Sequence, residues 1–279
     1  MITIEKLQKK YKGFELNVSM TIPEGCVTGL IGKNGAGKST TIKAILGLIR
    51  LDGGSVEILG GKPGENLNSI GVALSDSNFS MVLTLKDVVR IMRATYKDFD
   101  EEKFKNSCTE QGLPFDKPIK EFSTGMKAKL RVLSAISHNA KLLVMDEPTT
   151  GLDVLARNEI LDMLRAYMEE DPSRSILISS HISSDLEGLC DDIYMINKGE
   201  IIMHEDIDTL LGSYGILKMS EQEFEELDKQ YIVVCKKERL NVTCLTNEKQ
   251  FYLENYPSIV VENSSIDDII VLRLGGHEG

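Results

Sequence analysis

The feature that most constrains this chain is a glycine-rich stretch, Gly32–Ser39, with the sequence GKNGAGKS. It matches the pattern G-x-x-x-x-G-K-[ST] at every fixed position, and the apolar segment Cys26–Ile31 before it is predicted to be a strand. Apolar residues after it recur at the spacing of one helical face: Ile42, Ile45, Leu46 and Ile49. Backbone N–H groups of such a loop point at one anion, and the helix N-terminus adds partial positive charge. The loop is therefore predicted to bind a nucleoside triphosphate.

Two residues at the end of this stretch have predicted roles of their own. The ammonium of Lys38 would reach the terminal phosphates, and the hydroxyl of Ser39 would ligate Mg²⁺. The alternative is a glycine-rich turn with a chance lysine, which the flanking strand and helix disfavour. The residues predicted to contact the nucleotide here are Gly32, Lys33, Asn34, Gly35, Ala36, Gly37, Lys38, Ser39 and Thr40.

Composition limits the possible partners. The 279 residues carry a formal net charge of −11, whereas a nucleic-acid surface needs a basic field, so no nucleic-acid partner is expected. No stretch approaches the roughly 18 apolar residues that span a bilayer, so any membrane part would belong to another polypeptide. The five cysteines include no C-x-x-C pair and are predicted to be reduced thiols without a metal.

Apolar strands alternate with amphipathic helices along most of the chain. Leu142–Met145 and Ile176–Ile178 are continuous apolar runs, typical of parallel strands covered on both faces. Apolar residues at helical spacing predict helices over Thr84–Lys97 and Lys129–His138, and Thr84 begins a capping box. This alternation predicts an α/β fold with a mostly parallel core sheet.

Two regions are expected from these patterns. Residues 1–212 would form the α/β domain, with an antiparallel β-layer in its opening segment and a helical insertion at about 76–138. Residues 213–279 contain short strands and two serine-capped helices, which predict a small C-terminal α+β appendage.

A second strong signal follows the strand at Leu142. The apolar run ends in Asp146 and Glu147, which places two carboxylates at the carboxyl edge of the sheet, beside the glycine-rich loop. Asp146 would hold Mg²⁺ or its water shell, and Glu147 would polarise the water that attacks the γ-phosphate. An acidic strand end that only begins a turn is the alternative.

Further motifs stand in a fixed order along the chain. Glu121–Leu130 contains Phe-Ser-Thr-Gly, Asp146–Asp153 reads DEPTTGLD, and His181 follows a predicted strand. Together with the glycine-rich loop, this set resembles the ATP-binding-cassette (ABC) family over residues 1 to about 210. The resemblance implies a P-loop NTPase fold of the ABC type, with ATP and Mg²⁺ as cofactors.

The resemblance also implies how these motifs work together. In the family, two cassettes pack head to tail, and the signature of each closes over the ATP of the other. The partner would therefore be a second ATPase subunit, either another copy or a relative. By this resemblance, Tyr11 would stack on adenine, with Phe14 as the alternative ring, and His181 would sense the γ-phosphate. The residues carried over for the partner's ATP are Ser123, Gly125 and Asp153.

Two departures from the family pattern are visible. The signature has Thr124 for the usual first glycine and Met126 for the usual glutamine, while Ser123 and Gly125 keep the expected contacts. Where the family has a glutamine near Mg²⁺, this chain has Ser75 followed by Asp76. Because either oxygen would reach the metal through water, Asp76 is a candidate metal ligand.

The transported cargo is suggested only by resemblance. The segments Val260–Ile270 and Asp76–Lys86 are similar to bacterial exporter ATPases for peptides, antibiotics or toxic compounds, which pair with separate multi-helix permease subunits. The resemblance therefore implies a peripheral position on the inner face of the membrane. An apolar patch is expected either to dock a permease helix or to pack internally; its members are Phe79, Met81, Val82 and Leu83.

Two other functions are compatible with the motifs. One is a soluble ABC protein that acts on ribosomes or damaged DNA, although such proteins usually have two cassettes, a coiled coil or basic extensions. The other is a nucleotide-dependent regulator that does not hydrolyse ATP. Glu147 and His181 argue against the regulator, whereas the unusual Ser75-Asp76 pair is compatible with it.

Overall fold

A nine-stranded sheet extends from Ile2 to Asp206 in the computed structural model, which describes residues 1–76, 79–237, 241–275 and 277–278. Its strands are β1 (Ile2–Tyr11), β2 (Phe14–Ile22), β3 (Val27–Ile31), β4 (Gly53–Ile58), β5 (Ile70–Ala73), β6 (Leu142–Asp146), β7 (Ser175–Ser180), β8 (Asp192–Asn197) and β9 (Glu200–Asp206). They lie in the order β4-β1-β2-β9-β8-β3-β7-β6-β5. Strands β8, β3, β7, β6 and β5 are parallel neighbours, whereas β4, β1 and β2 are antiparallel. The predicted parallel core and antiparallel layer are confirmed.

Burial explains the difference between the two parts of the sheet. Every residue of β3, β6 and β7 is buried, as expected for parallel strands covered by helices on both faces. Strand β2 instead alternates between buried and exposed residues, so only one of its faces contacts a core. The parallel strands all end at the same edge, which brings the segments after β3, β6 and β7 together.

Seven helices accompany this sheet in the described residues: α1 (Lys38–Ile45), α2 (Leu85–Thr95), α3 (Glu101–Glu110), α4 (Thr124–Ile136), α5 (Val154–Glu170), α6 (Ser183–Glu187) and α7 (Ile207–Gly212). Helices α2, α3 and α4 share a separate apolar cluster that includes Val88, Phe104 and Leu130. The predicted capping box of Thr84 with Asp87 is confirmed. Helix α4 begins five residues before the apolar pattern that marks it in the sequence, because the Ser123 side chain accepts a hydrogen bond from Met126 N and caps it there.

A second sheet is built from the C-terminal part of the chain. Its strands are β10 (Gly215–Met219), β11 (Ile232–Lys237), β12 (Val242–Thr246), β13 (Val260–Asn263) and β14 (His277–Glu278), and its helices are α8 (Glu221–Glu226), α9 (Lys249–Asn255) and α10 (Ile266–Gly275). The strands are antiparallel in the order β13-β10-β12-β11-β14. Residues 77–78 of the predicted insertion and residues 238–240, 276 and 279 of the predicted appendage lie outside the described residues.

Helix α10 packs between its own sheet, where it contacts β11 and β12, and helix α6 of the larger domain. Ile266 and Ile269 are fully buried in the apolar cluster that also contains Leu186 of α6 and Leu210 of α7. At the start of α10, the backbone N–H of Ile266 donates to Glu187 Oε1 at 3.3 Å. The C-terminal region therefore contributes directly to the core beside α6.

The expectation that all five cysteines are reduced thiols is wrong at two positions. Cys235 on β11 and Cys244 on β12 are register partners and form a disulfide, with their Cα atoms 4.2 Å apart. Cys26, Cys108 and Cys190 are free thiols, and burial raises the pKa of Cys108 to about 12. The pairing was missed because strand register, which brings the two side chains together, is not visible in the spacing of the cysteines.

No helix in the described part of the chain is both long enough and apolar enough to cross a membrane.

Candidate nucleotide site

The glycine-rich loop joins β3 to α1 and has a backbone that other residues could not adopt easily. Gly35 and Gly37 lie in the left-handed region, with φ of +81° and +120°. A Cβ at Gly32 would be 2.4 Å from the carbonyl oxygen of Ile196, so this position also excludes a side chain. These glycines allow the loop to curl at the N-terminus of α1, where free backbone N–H groups favour an anion.

Lys38 is the first residue of α1 and is almost fully buried. Its ammonium donates to the carbonyl of Gly32 at 2.6 Å and lies 3.0 Å from Glu147 Oε1. The loop and a carboxylate thus hold the cation at one wall of a cleft of about 480 Å³. The cleft is lined by Phe14, Lys33, Asn34, Gly35, Gly37, Lys38, Ser39, Thr40, Ser75, Glu147, Thr150 and His181.

Most of the predicted contacts of the loop lie in this lining. Gly32 and Ala36 are absent from it, and both are buried. Phe14 lines the cleft, whereas Tyr11 lies outside it, is half exposed, and has its ring centroid 6.5 Å from that of Phe14. Of the two candidate aromatic rings, Phe14 is therefore the one at the cleft wall.

Asp146 ends β6 and is only 1% exposed. Its carboxylate accepts hydrogen bonds from Ser179 Oγ at 2.6 Å and from Ser75 Oγ at 3.2 Å. Asp76 lies apart from this group: it is exposed and pairs with Lys43 Nζ at 2.7 Å, and the hydrogen bond from Lys43 lowers its pKa. Of Ser75 and Asp76, which stand where the family has a glutamine, Ser75 is thus the one that contacts Asp146.

Glu147 is the most constrained residue of the site. It is not a glycine, yet its φ is +52°, a strained conformation that its backbone N–H stabilises by donating to Ser179 O and Oγ, each at 3.1 Å. Its Oε2 accepts from Thr150 Oγ1 at 2.7 Å and contacts His181 Nδ1 at 2.5 Å. The carboxylate is therefore fixed from both sides and faces the cleft.

The surroundings of Glu147 keep its carboxylate ionised. Burial alone would raise its pKa, but the hydrogen bonds from Thr150 and His181, together with Lys38, outweigh burial and lower the pKa below its ordinary value. A charged carboxylate at a cleft wall can orient a water molecule and accept its proton.

His181 follows β7, one strand away from β6 in the sheet, and its side chain is partly exposed. Because Nδ1 contacts Glu147, the other ring nitrogen, Nε2, points away from that carboxylate. The structure therefore brings together the predicted residues Lys38, Glu147 and His181. Thr150 and Ser179 were missed by the sequence analysis, although Thr150 lies within Asp146–Asp153 and Ser179 directly follows the predicted strand Ile176–Ile178.

The predicted signature residues do not line this cleft. Ser123 caps α4 and Asp153 caps α5, where its side chain accepts from Ala156 N at 2.9 Å. The two helix starts are adjacent, since a Cβ at Gly125 would be 3.3 Å from the Cβ of Ala156. Ser123 and Asp153 are both exposed, so this second polar edge faces outward.

Comparison with known proteins identifies the family. The family model described as "ABC transporter" matches residues 16–150. The lantibiotic transport ATP-binding protein SrtF of Streptococcus pyogenes is 35% identical over 213 residues, which cover 75% of this chain and 92% of that protein. The chain belongs to the ABC transporter ATP-binding proteins. The predicted family, fold class and ATPase activity are confirmed.

Two further similarities describe how far the likeness extends. The ABC transporter ATP-binding protein YtrB of Bacillus subtilis is 27% identical over 296 residues and covers 99% of both chains, so it includes the C-terminal region. A solved dimeric ATP-binding cassette with ADP and Pi has 22% identity and a TM-score of 0.66, covering 74% of this chain and 99% of that one. At 22% identity, the similarity to the solved cassette shows the fold alone.

Proposed function

We propose that this ABC ATPase drives the export of peptide antibiotics or related toxic compounds through a separate multi-helix membrane subunit. The likeness to SrtF, a lantibiotic transport ATP-binding protein, supports this class of cargo. The assignment also locates the protein peripherally, on the inner face of the membrane, where its permease would hold it.

The observation that carries the catalytic part is the contact of Glu147 with both Lys38 and His181 at one wall of the cleft. The β- and γ-phosphates of ATP would accept hydrogen bonds from the loop amides and from Lys38. The Lys38 ammonium would then contact phosphate instead of the Glu147 carboxylate. Glu147 would then orient the attacking water and accept its proton. His181 Nε2 would lie near the γ-phosphate, to which it can donate when both ring nitrogens carry a proton.

The oxygen ligands available beside the loop fit Mg²⁺, which prefers hydroxyl, carboxylate and water oxygens. We propose that Ser39 and Asp146 hold it, and that Ser75 or Asp76 contributes through water. Bound Mg²⁺ would neutralise charge on the phosphates. Adenine would stack on Phe14 or on the neighbouring Tyr11.

The outward edge formed by Ser123, Gly125 and Asp153 supports a working dimer. In such a pair, the edge of one subunit would close over the ATP of the other. Within a single subunit, these three residues do not line the cleft. Val154 and Leu155 lie next to Asp153 with 69% and 71% of their surface exposed, as expected for residues that a partner covers. The solved cassette of this fold is itself a dimer with ADP and Pi.

A groove of about 260 Å³ beside the helical insertion is the proposed docking site for the permease. Phe79 lines it and, like Leu83, packs against the apolar cluster of α2, α3 and α4, whereas Met81 and Val82 are exposed. The predicted patch is therefore only partly free. Arg131, which also lines the groove, donates to the carbonyl oxygens of Leu74 and Ser75 at 3.1 and 3.3 Å. A helix in this groove would therefore contact Arg131, which holds the segment that carries Ser75.

A mild-detergent pull-down of tagged Glu147→Gln protein from its native cells, with MgATP, tests the transporter assignment. We expect a stoichiometric multi-helix membrane protein, and we expect less of it with a Lys38→Ala variant, which weakens ATP binding. Ribosomal proteins or DNA-repair factors without a membrane partner would overturn the assignment. The cargo is then tested by measuring sensitivity to lantibiotics in cells that lack this chain.

A further inference from the structure

A buried carboxylate outside the cleft lining connects the main segments of the site. Asp185 belongs to α6, four residues after His181, and is 1% exposed. It accepts a hydrogen bond from Thr149 Oγ1 at 2.5 Å, and Thr149 is itself 1% exposed. A carboxylate is rarely buried to this degree unless an ion pair or hydrogen bonds compensate for its lost hydration.

The second partner of Asp185 is Arg157 in the first turn of α5. Its Nε lies 3.5 Å from Asp185 Oδ1, which is an ionic contact without a hydrogen bond. The backbone N–H of Arg157 donates to the carbonyl of Asp153 at 3.0 Å. Asp185 therefore contacts both the turn after Glu147 and the helix start that presents Asp153.

The contacts form a closed ring around the turn. On one side, His181 contacts Glu147; on the other, Asp185 accepts from Thr149, two residues after Glu147. The next residue, Thr150, donates to Glu147 Oε2 at 2.7 Å. A shift of Thr149 would therefore move Thr150 and the carboxylate that it holds.

We propose that Asp185 is a positioning residue of the ATPase reaction, which keeps the turn after Glu147 and the edge at Asp153 in register with His181. The inference rests on the roles proposed above for Glu147 and His181. Asp185 touches neither ATP nor water in this scheme, and it acts through Thr149 and Arg157. Its loss would misplace the groups that hold the attacking water while leaving the phosphate loop intact.

The test compares Asp185→Asn, Thr149→Val and Thr149→Ser in steady-state ATPase assays. Since small displacements of reacting groups cost up to about 10²-fold, we expect kcat of Asp185→Asn and Thr149→Val to fall about 10- to 100-fold, with KM for ATP changed less than about threefold. Thr149→Ser keeps the hydroxyl and should retain near-normal kcat. The double variant should lose little more than Asp185→Asn alone, because Thr149→Val removes one of the two contacts that Asp185→Asn already weakens.

The matched control is Asp162→Asn on α5, which breaks an exposed ion pair with Arg165 at 2.7 Å and should change neither constant. Unchanged kcat in Asp185→Asn, while Glu147→Gln is inactive, would refute the positioning role alone. Substantial activity in Glu147→Gln would instead refute the proposed site. An equal loss of kcat in Thr149→Ser would also overturn the inference. That variant keeps the hydroxyl, so the loss would indicate a structural role of Thr149 instead of the hydrogen bond to Asp185.

Discussion

The Nδ1 atom of His181 lies 2.5 Å from Oε2 of Glu147, so residues that follow two neighbouring parallel strands meet at the wall of the cleft. This contact fixes the rotamer of a carboxylate whose backbone is already strained. It leaves Nε2 of the ring for a phosphate oxygen. The pair therefore couples the proposed proton acceptor to the group proposed to detect the γ-phosphate.

Removing either member of the pair should remove turnover and spare ATP binding. We expect Glu147→Gln to lower kcat by roughly 10²–10⁴, the usual contribution of a positioned base, and His181→Ala to lower it by at least about tenfold. Phosphate release and the binding of a fluorescent ATP analogue would be measured in parallel. His204→Ala is the control, because His204 also contacts a carboxylate, Asp192 at 2.6 Å, but lies on β9. Lost turnover in that variant would contradict the site.

The lowered pKa of Glu147 predicts a pH dependence of stability. A carboxyl group whose pKa is lowered on folding stabilises the protein above its ordinary pKa of 4.5, and this stabilisation is lost as pH falls through the folded value. Thr150→Ala removes one of the hydrogen bonds, so it should lower the free energy of unfolding by about 1 kcal/mol at pH 7. The difference from wild type should shrink below pH 4.5.

Urea denaturation at pH 7 and pH 4 measures this effect. Thr95→Ala is the matched control, because its hydroxyl donates to the neutral carbonyl of Ile91 and carries no titrating partner. Its effect should be the same at both pH values. An effect of Thr150→Ala that does not change with pH would mean that the ionised Glu147 is not its acceptor.

The site could be predicted from the sequence because the motifs and the order of the strands place the same residues together. The glycine-rich loop requires a strand before it and a helix after it, and the carboxyl ends of parallel strands meet at one edge. Lys38, Glu147 and His181 therefore had to be neighbours. The starts of α2 and α8 were also predictable, since Thr84 and Ser220 form local capping boxes within four residues.

What the sequence could not predict depends on contacts between distant residues. The disulfide depends on the register of β11 and β12, and the choice between Ser75 and Asp76 depends on whether Lys43 is within reach. The ring through Thr149 and Asp185 joins residues 36 apart in sequence. None of these contacts produces a periodic pattern along the chain.

The position of α10 predicts that the C-terminal region is not independent of the ATPase core. We propose residues 1–212 and 213–279 as the two regions, with α10 packing between β11 and β12 of the second and α6 of the first. Ile269 is fully buried, so Ile269→Ala should lower the free energy of unfolding by about 2–5 kcal/mol. Val271→Ala, on the same helix with 62% exposure, should have little effect. Equal small effects in thermal unfolding would contradict this packing.

The disulfide predicts a response to reductant. A bond that closes a short loop typically stabilises by about 2 kcal/mol, so dithiothreitol should lower the unfolding midpoint of the wild type. A Cys235→Ser/Cys244→Ser double variant should have the lower midpoint already and show no further response. Cys26→Ser, at a free thiol, is the control and should respond as the wild type does. A wild type that is insensitive to reductant would contradict the bond.

The surroundings of Asp146 predict which residue supports Mg²⁺. Ser75 Oγ donates to Asp146, whereas Asp76 is held at the surface by Lys43. Ser75→Ala should therefore raise the Mg²⁺ concentration that gives half-maximal ATPase activity, because Asp146 loses a hydrogen bond that orients it. Asp76→Asn should leave that concentration nearly unchanged, since an exposed ion pair contributes little. The opposite ranking of the two variants in a Mg²⁺ titration would assign the role to Asp76, and Lys43 would then have to release it when the metal binds.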